Sequence, residues 1–157
     1  MKFRILVICF CITVIGCDTS NVYHEFIDLD NRVWMLADKP QFTFEIRDTT
    51  QTYNVYWDIR NSTHYKWSRL FVKFSLKDTL GNDIESKLVT AHLFEPKTGK
   101  PYGKSGLGDL FDHRVEVLQN YRFPRAGVYQ AELEQYMRED SVPGILSVGV
   151  AIEKAVN

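Results

Sequence analysis

Short runs in which apolar and polar residues alternate one by one restrict the fold of this chain more than any other feature. The apolar members of the clearest runs are Phe42, Phe44 and Ile46; Tyr53, Val55, Trp57 and Ile59; Leu70, Val72, Phe74 and Leu76; and Tyr129, Ala131 and Leu133. A period of two belongs to a β-strand with one buried face, whereas a helix repeats every 3.6 residues. Each run is therefore predicted to be a strand with one dry face.

Turn-forming residues separate these runs, as at 78–83 and 143–144. Further strands are expected over 86–94, and where Val115 and Val117 precede Tyr121 or Phe123. The last strand is expected to place Leu146, Val148, Val150 and Ile152 on one face and Ser147, Gly149 and Ala151 on the other. Only residues 135–140 suggest a helical turn. Short strands without a sustained helical period predict an all-β, single-domain antiparallel β-sandwich or jelly-roll.

The N-terminus has the features of an export signal. Lys2 and Arg4 precede a mostly apolar run over residues 5–15, which is too short for a permanent membrane span. Residues 1–16 are therefore predicted to be a signal peptide. The run ends in Val14-Ile15-Gly16-Cys17, which resembles a bacterial lipobox. That resemblance implies diacylglyceryl transfer to Cys17, cleavage before it and acylation of its new amine.

Acyl chains on Cys17 would hold the mature protein at a membrane without a spanning helix. Residues 17–22 are expected to be a lipidated tether, and residues 23–157 the β-sandwich domain. Asp18 is the only acidic residue in the stretch that follows Cys17 up to Asn21. This is not the acidic cluster that marks surface export, so a periplasm-facing anchor in the cell envelope is expected.

Charge and cysteine content exclude several classes of function. Removal of the leader takes Lys2 and Arg4 from nineteen basic residues and leaves seventeen against twenty acidic ones, a formal charge of −3. The sequence contains no basic stripe with interleaved aromatic residues, so no nucleic-acid partner is expected. Cys9 and Cys11 leave with the leader. Once Cys17 is acylated no thiol remains for a disulfide, a metal or nucleophilic catalysis.

The histidines and carboxylates give no motif for catalysis. His24, His64, His92 and His113 lack a metal-ligand spacing, and there is no Gly-x-Ser-x-Gly sequence. No metal, cofactor or catalytic residue is therefore predicted. One alternative stays open, in which His113, Asp112, Asp109 and His92 assemble a hydrolytic or metal site in three dimensions.

Three aromatic residues, Tyr56, Tyr65 and Trp67, are candidates for a recognition surface. Packing in the core or at its rim is the favoured interpretation. The alternative is that they lie on a loop or the outer face, where exposed rings stack on sugars or contact a partner protein.

The loop at residues 103–109 is rich in glycine. Gly103-Lys104-Ser105 echoes a phosphate-binding loop, but Thr98 stands where that motif needs its first glycine. Gly103, Gly106 and Gly108, together with Asp109, are therefore candidates for presenting backbone to a partner.

The order and spacing of many short elements resemble one family. They are the lipobox, Trp34, the 42–48 strand, Tyr53-Asn54, Arg60-Asn61, Tyr65-x-Trp67, the 103–109 loop, Gly127-x-Tyr129, the 135–138 segment, Gly144-Ile145 and Val148-Gly149. Together they are similar to the GldH family of gliding-motility lipoproteins. The resemblance implies a Bacteroidota envelope lipoprotein needed for gliding, a process tied to type IX secretion. It transfers no catalytic residue.

The leading hypothesis is a lipid-anchored, non-catalytic β-sandwich that interacts with other envelope motility or secretion proteins. The first alternative is a carbohydrate-binding domain that contacts peptidoglycan or a surface polysaccharide. The second is a glycan hydrolase that uses a scattered carboxylate pair. Arg60 and Arg138 are expected to pair with carboxylates at strand ends.

Overall fold

The computed structural model describes residues 20–156, which form antiparallel β-sheets. The strands of this part are β1 (Asn21–Asp28), β2 (Val33–Met35), β3 (Gln41–Ile46), β4 (Tyr53–Ser62), β5 (Arg69–Lys77), β6 (Asp83–His92), β7 (Lys104–Ser105), β8 (Leu110–Tyr121), β9 (Gly127–Gln135), β10 (Ser141–Pro143) and β11 (Ile145–Lys154). A tight turn at Asp30–Arg32 joins β1 to β2, with Asn31 and Arg32 in the left-handed region. The predicted leader and Cys17 lie outside the described residues.

Two sheets pack face to face around the core. The larger has five strands in the order β1, β11, β4, β8, β7, and the smaller has four in the order β3, β9, β5, β6. β2 and β10 pair in a small separate ladder. Neighbouring strands run antiparallel in both sheets. The predicted all-β antiparallel sandwich is confirmed.

β1 begins at Asn21, inside the segment 17–22 that was expected to be a tether. Asn21 pairs with Glu153 of β11, and the carbonyl of Ser20 accepts a hydrogen bond of 2.8 Å from the Lys154 backbone N–H. The start of β1 lies at the edge of the sheet and is exposed on both faces, so its sequence does not alternate between apolar and polar residues. The first strand of the sandwich therefore begins four residues after Cys17.

The strand directions define two ends of the sandwich. β4 runs from Tyr53 to Ser62, and its two ends pair with Tyr121 and Leu110 of β8. We call the end that contains Ser20, Tyr53 and Tyr121 the N-terminal pole, and the end beyond Leu110 the distal pole. A strand of this length separates the poles by about 30 Å.

The core contains every apolar residue that the alternation assigned to a dry face in the four clearest runs. Burying such a side chain contributes about 1.5–3 kcal/mol. Near the N-terminal pole, the ring of Phe123 meets those of Phe44, Tyr53, Tyr121 and Tyr129 at centroid distances of 4.8–5.9 Å. Edge and tilted contacts of this kind stabilise the packing beyond the area that they bury.

Tertiary context decides two local features, and at residues 135–140 it overturns the expected helical turn. β11 is buried on both faces, since Ser147 and Ala151 are each only 1% exposed and Gly149 is buried as well. Residues 135–140 form no helical turn. Instead the Gln135 side chain accepts a hydrogen bond from the Met137 N–H and donates one to the Glu139 carbonyl, so that it holds an irregular loop.

β8 also departs from strict alternation. Val117 and Leu118 are consecutive, yet both are buried. The register between β4 and β8 shifts on either side of Val55, which is the signature of a β-bulge. The bulge turns two neighbouring side chains inward, a change that the sequence pattern does not show.

Gly144 is a position where a side chain should damage the fold. Its φ is +88°, and an added Cβ would lie 2.4 Å from the Tyr65 backbone nitrogen. We expect Gly144→Ala to lower the free energy of unfolding by about 3 kcal/mol, because left-handed strain and a backbone clash act together. Urea denaturation followed by tryptophan fluorescence measures the change.

Gly99 provides the matched control. Its φ is +70°, but nothing lies within 4 Å of an added Cβ. Gly99→Ala should therefore show the conformational term alone, about 1 kcal/mol. Equal losses in the two variants would contradict the clash at Gly144.

Candidate functional site

The outer face of the five-stranded sheet carries a network of charged side chains. By strand register, Asp58 of β4 lies between Gly149 of β11 and Arg114 of β8. His24 of β1 lies opposite Ala151 of β11. Because Gly149 and Ala151 are small, side chains from β1 and β4 reach each other across β11.

Asp58 is the centre of this network. Its side chain is 6% exposed, and the carboxylate accepts hydrogen bonds from Arg114 Nε at 2.7 Å and Nη2 at 2.9 Å. His24 Nε2 lies 2.8 Å from its Oδ2. Arg114 Nη1 also contacts Glu153 at 2.7 Å. The hydrogen bonds to Asp58 raise the pKa of Arg114 above its ordinary value, so the guanidinium stays charged.

A groove of about 720 Å³ lies beside this network, and we call it the sheet groove. Phe26, 41% exposed, and Tyr102, 60% exposed, supply its apolar surface. Arg60 and Asp112 form a bidentate pair in it, with Nε to Oδ1 at 2.7 Å and Nη2 to Oδ2 at 3.1 Å. Lys104 also lines it, and its side chain makes no hydrogen bond or ion pair among residues 20–156. The groove thus offers aromatic surface and one unpaired cation.

His113 closes the inner wall of the sheet groove. Its Nε2 is buried without a hydrogen-bond partner in the described part of the chain. Burial lowers the pKa of His113 below its ordinary value, and the nearby Asp112 opposes the shift. Gly103 packs directly against this ring, since an added Cβ would lie 2.6 Å from Nε2.

The three aromatic candidates do not form one surface. Tyr65 is 3% exposed and donates a hydrogen bond to the Arg69 carbonyl, so it packs in the core and presents no recognition surface. Tyr56 is half-buried on the outer face under the Arg114 guanidinium, 5.2 Å from the ring centre. Trp67 is half-buried toward the distal pole, where Lys66 Nζ lies 4.7 Å from its ring centre.

The glycine-rich segment forms a hairpin rather than an open loop. β7 pairs with Phe111 and Asp112 of β8, and the N–H of Gly106 donates to the Leu110 carbonyl. Gly108 adopts a φ of +71° at the exposed turn. Asp109 fixes this turn, because its carbonyl accepts a 3.1 Å hydrogen bond from the Thr63 N–H. Gly106, Gly108 and the Asp109 side chain are exposed, whereas Gly103 lies against His113.

Residues 20–156 contain neither a cluster of metal-ligand side chains nor a helix of membrane-spanning length. No group of three or more His, Cys, Asp or Glu side chains in this part is arranged to hold a metal ion. His92 and His113 both line the sheet groove, as one open alternative required, but Asp109 lies elsewhere, near His64. The described part also lacks a helix long and apolar enough to cross a bilayer.

Sequence reasoning predicted the Arg60 pair but missed the network around Asp58. Arg60 was expected to pair with a carboxylate, and Asp112 is that partner. Arg138, by contrast, makes no ion pair in the described part. The available signal was Asp58 itself, because aspartate is depleted in strands and here stands between Trp57 and Ile59. Its partners come from β1 and β8, far away in sequence.

Comparisons with known proteins assign the family. An all-β sandwich with a charged, internally paired outer face defines only a structural class. A family model described as GldH lipoprotein matches residues 21–152. The chain belongs to the GldH lipoprotein family, and the resemblance drawn from its sequence is confirmed.

Two relatives resemble the chain over nearly its whole length. The gliding motility lipoprotein GldH homolog of Christiangramia forsetii is 28% identical over 170 residues, which covers 100% of both chains. The gliding motility lipoprotein GldH of Flavobacterium johnsoniae is 22% identical over 153 residues, which covers 91% of each.

Solved structures show only distant likenesses. A chain of the infectious bursal disease virus VP2 subviral particle gives a TM-score of 0.42 at 14% identity, covering 95% of this chain and 37% of that one. Dimeric latent PorU from Porphyromonas gingivalis gives 0.38 at 12% identity, covering 86% of this chain and 13% of that one. This chain thus spans well under half of either protein, and scores this low carry no argument.

The buried carboxylate of Asp58 should matter more to stability than the exposed one of Asp112. Asp58→Ala leaves Arg114 with Glu153 as its remaining carboxylate and removes the hydrogen-bond partner of His24. We expect the free energy of unfolding to fall by about 2 kcal/mol, because water only partly replaces these charge-assisted bonds. Urea titration of the variant against the parent chain measures the loss.

Asp112→Ala is the control. It breaks a pair of similar geometry whose side chains are 45% and 43% exposed. The loss there should be about 0.5 kcal/mol, since solvent screens the pair. A larger loss at Asp112 than at Asp58 would show that burial does not set the ranking.

Proposed function

We propose that this protein is a lipid-anchored, non-catalytic component of the gliding motility machinery, held in the cell envelope through acyl chains on Cys17 and linked to type IX secretion. It acts by contact with other envelope proteins. The observation that carries the proposal is the family match, which begins at residue 21, four residues after Cys17 of the lipobox. Two relatives named for gliding motility support the same process.

The anchor gives the domain a role that needs no chemistry. Two or three acyl chains bind a membrane stably, whereas one chain binds it only marginally. A domain confined to the membrane surface meets membrane-bound partners at a raised effective concentration. The stretch after Cys17 contains a single acidic residue, Asp18, and lacks the acidic cluster that marks surface export, which supports a periplasm-facing position.

The pairing of charges on the outer face supports a non-catalytic role. A general acid or base needs a carboxyl within reach of a substrate and free to exchange a proton. Asp58 is enclosed by Arg114 and His24, and Asp112 is held by Arg60 in a bidentate pair. These carboxylates serve the fold, which weakens the glycan hydrolase alternative at the sheet groove.

The sheet groove is the contact surface that the geometry favours. Phe26 and Tyr102 are exposed beside Arg60 and the unpaired Lys104. Aromatic residues and arginine are enriched where proteins bind one another, and buried aromatic anchors supply much of the binding energy. Asp112 fixes the Arg60 side chain in advance, which lowers the entropy lost on binding.

The carbohydrate alternative has less support, because its three aromatic residues are occupied. Tyr65 is buried, Arg114 covers one face of Tyr56, and Lys66 covers one face of Trp67. A sugar ring needs an open aromatic face on which to stack. The protein-contact hypothesis is therefore preferred.

Cys17→Ala tests the anchor. The variant should fold, since Cys17 precedes β1, but it should be released from the membrane and lose function. Spreading of the host cells on a soft surface and fractionation of their envelopes measure the two effects. Full spreading with a released Cys17→Ala protein would contradict the proposal.

A photo-crosslinking phenylalanine analogue at Phe26 tests the contact surface in intact cells. We expect a discrete crosslinked product with another envelope protein, because Phe26 lines the exposed sheet groove. The same analogue at Thr43, exposed on β3 of the smaller sheet, is the matched control and should give little product. Equal products at both positions, or none at Phe26, would count against the groove.

A further inference from the structure

The N-terminal pole of the sandwich is fixed close to the attachment point of the chain. The Ser20 carbonyl accepts a hydrogen bond from Lys154 N–H at 2.8 Å, and the Thr52 carbonyl accepts one from Ala155 N–H at 2.9 Å. The start of β1, the end of β11 and the loop before β4 are therefore bound together at this pole. Because Ser20 is bound to this pole, the chain that precedes Ser20 enters the domain there and keeps the pole near the attachment point.

The length of chain before Ser20 limits how far this pole can stand from a membrane. Cys17 precedes Ser20 by three residues. A fully extended chain spans at most 3.3–3.6 Å per residue, so the link reaches about 11 Å. If Cys17 is acylated, as the proposed function requires, the N-terminal pole lies at the level of the lipid headgroups.

Most basic side chains of this pole have a carboxylate beside them. Arg47 pairs with Glu45 at 2.8 Å. Arg125 and Lys154 lie near Asp78 and Asp48 respectively, where their positive charges help to lower the pKa values of those carboxyls. These charges are largely compensated within the pole.

Arg122 differs from them. It is exposed, and it makes no hydrogen bond or ion pair within the described residues. It lines a polar groove of about 460 Å³ together with Asn120 and the 50–52 segment. We call this the pole groove. The side-chain amide of Asn120 likewise has no partner in the described part.

We propose that the pole groove binds the headgroup phosphate of an anionic phospholipid in the same membrane that holds the acyl chains. Arg122 supplies a planar guanidinium that suits two phosphate oxygens, and Asn120 supplies amide donors. Leu80, 76% exposed, and Val156, 88% exposed, lie at the same pole and face the bilayer interface. The distal pole then stands about 30 Å above the headgroups.

The lipid is favoured over another occupant because proximity brings it there. Every acylated molecule carries the pole groove within reach of headgroups, whereas a protein ligand would have to enter the gap beneath the domain. A single basic residue near an anionic surface contributes about 1 kcal/mol, enough to orient a tethered domain without holding it rigidly.

A depth measurement tests the orientation in the acylated chain. Cys9 and Cys11 are lost when the leader is cleaved, and the thiol of Cys17 is blocked by the lipid. Val156→Cys therefore provides a single thiol for a fluorophore. In vesicles of phosphatidylethanolamine and phosphatidylglycerol with nitroxide headgroups, this label should be strongly quenched. Leu107→Cys, at a position 91% exposed on the distal pole, is the control and should be quenched little.

Arg122→Gln tests the groove in the same Val156→Cys chain. We expect the ratio of docked to undocked molecules, read from the quenching, to fall about fivefold. Arg138→Gln changes another exposed, unpaired arginine, which follows β9 at the distal pole, and should leave the quenching unchanged. Phosphatidylcholine vesicles should reproduce the loss, and excess inorganic phosphate should not displace the lipid.

The outcomes separate this proposal from the one on which it rests. A chain that fails to float with the vesicles lacks the anchor, and both proposals fall. A chain that floats but shows equal quenching at Val156 and Leu107, or no effect of Arg122→Gln, keeps its anchor and overturns the lipid site. Displacement by inorganic phosphate would replace the lipid with a free anion and also overturn it.

Discussion

The small outward-facing residues of β11 determine what the larger sheet can carry. Gly149 and Ala151 leave room for Phe26 and His24 of β1 to lie across the strand, and His24 thereby reaches Asp58 on β4. A larger residue at position 149 would meet the Glu25 carbonyl at 2.7 Å. The charged outer face, the burial of Asp58 and the shape of the sheet groove all follow from this one close approach.

The fold was predictable because its main signal is local. Alternation at Phe42, Trp57 or Leu70 needs no knowledge of the partner strand, since one-sided burial imposes a period of two on any strand. The local signal leaves alternatives open where a distant element decides the environment of a residue. Tyr65 is buried because it packs beside Gly144 and Phe94, which the chain reaches only much later.

The candidate site was predicted only in part, for the same reason. The position of Arg60 predicts an ion pair, but nothing in the local sequence identifies its partner, Asp112 on the neighbouring strand β8. The sequence marked the glycine-rich segment but could not show that Gly103 fits closely against the His113 ring, whereas Gly106 and Gly108 are exposed. A glycine indicates that another group approaches the backbone closely, but it does not indicate whether that group belongs to a partner or to the same chain.

The hydrogen bond between Ser20 and Lys154 has a practical consequence for work in cells. It brings the last described residues beside the first, so a fluorescent protein or epitope added after Val156 would emerge at the N-terminal pole. Such a fusion would crowd the proposed membrane contact at the N-terminal pole. The solvent-exposed turn at Leu107, on the opposite end, is the better place for an inserted epitope.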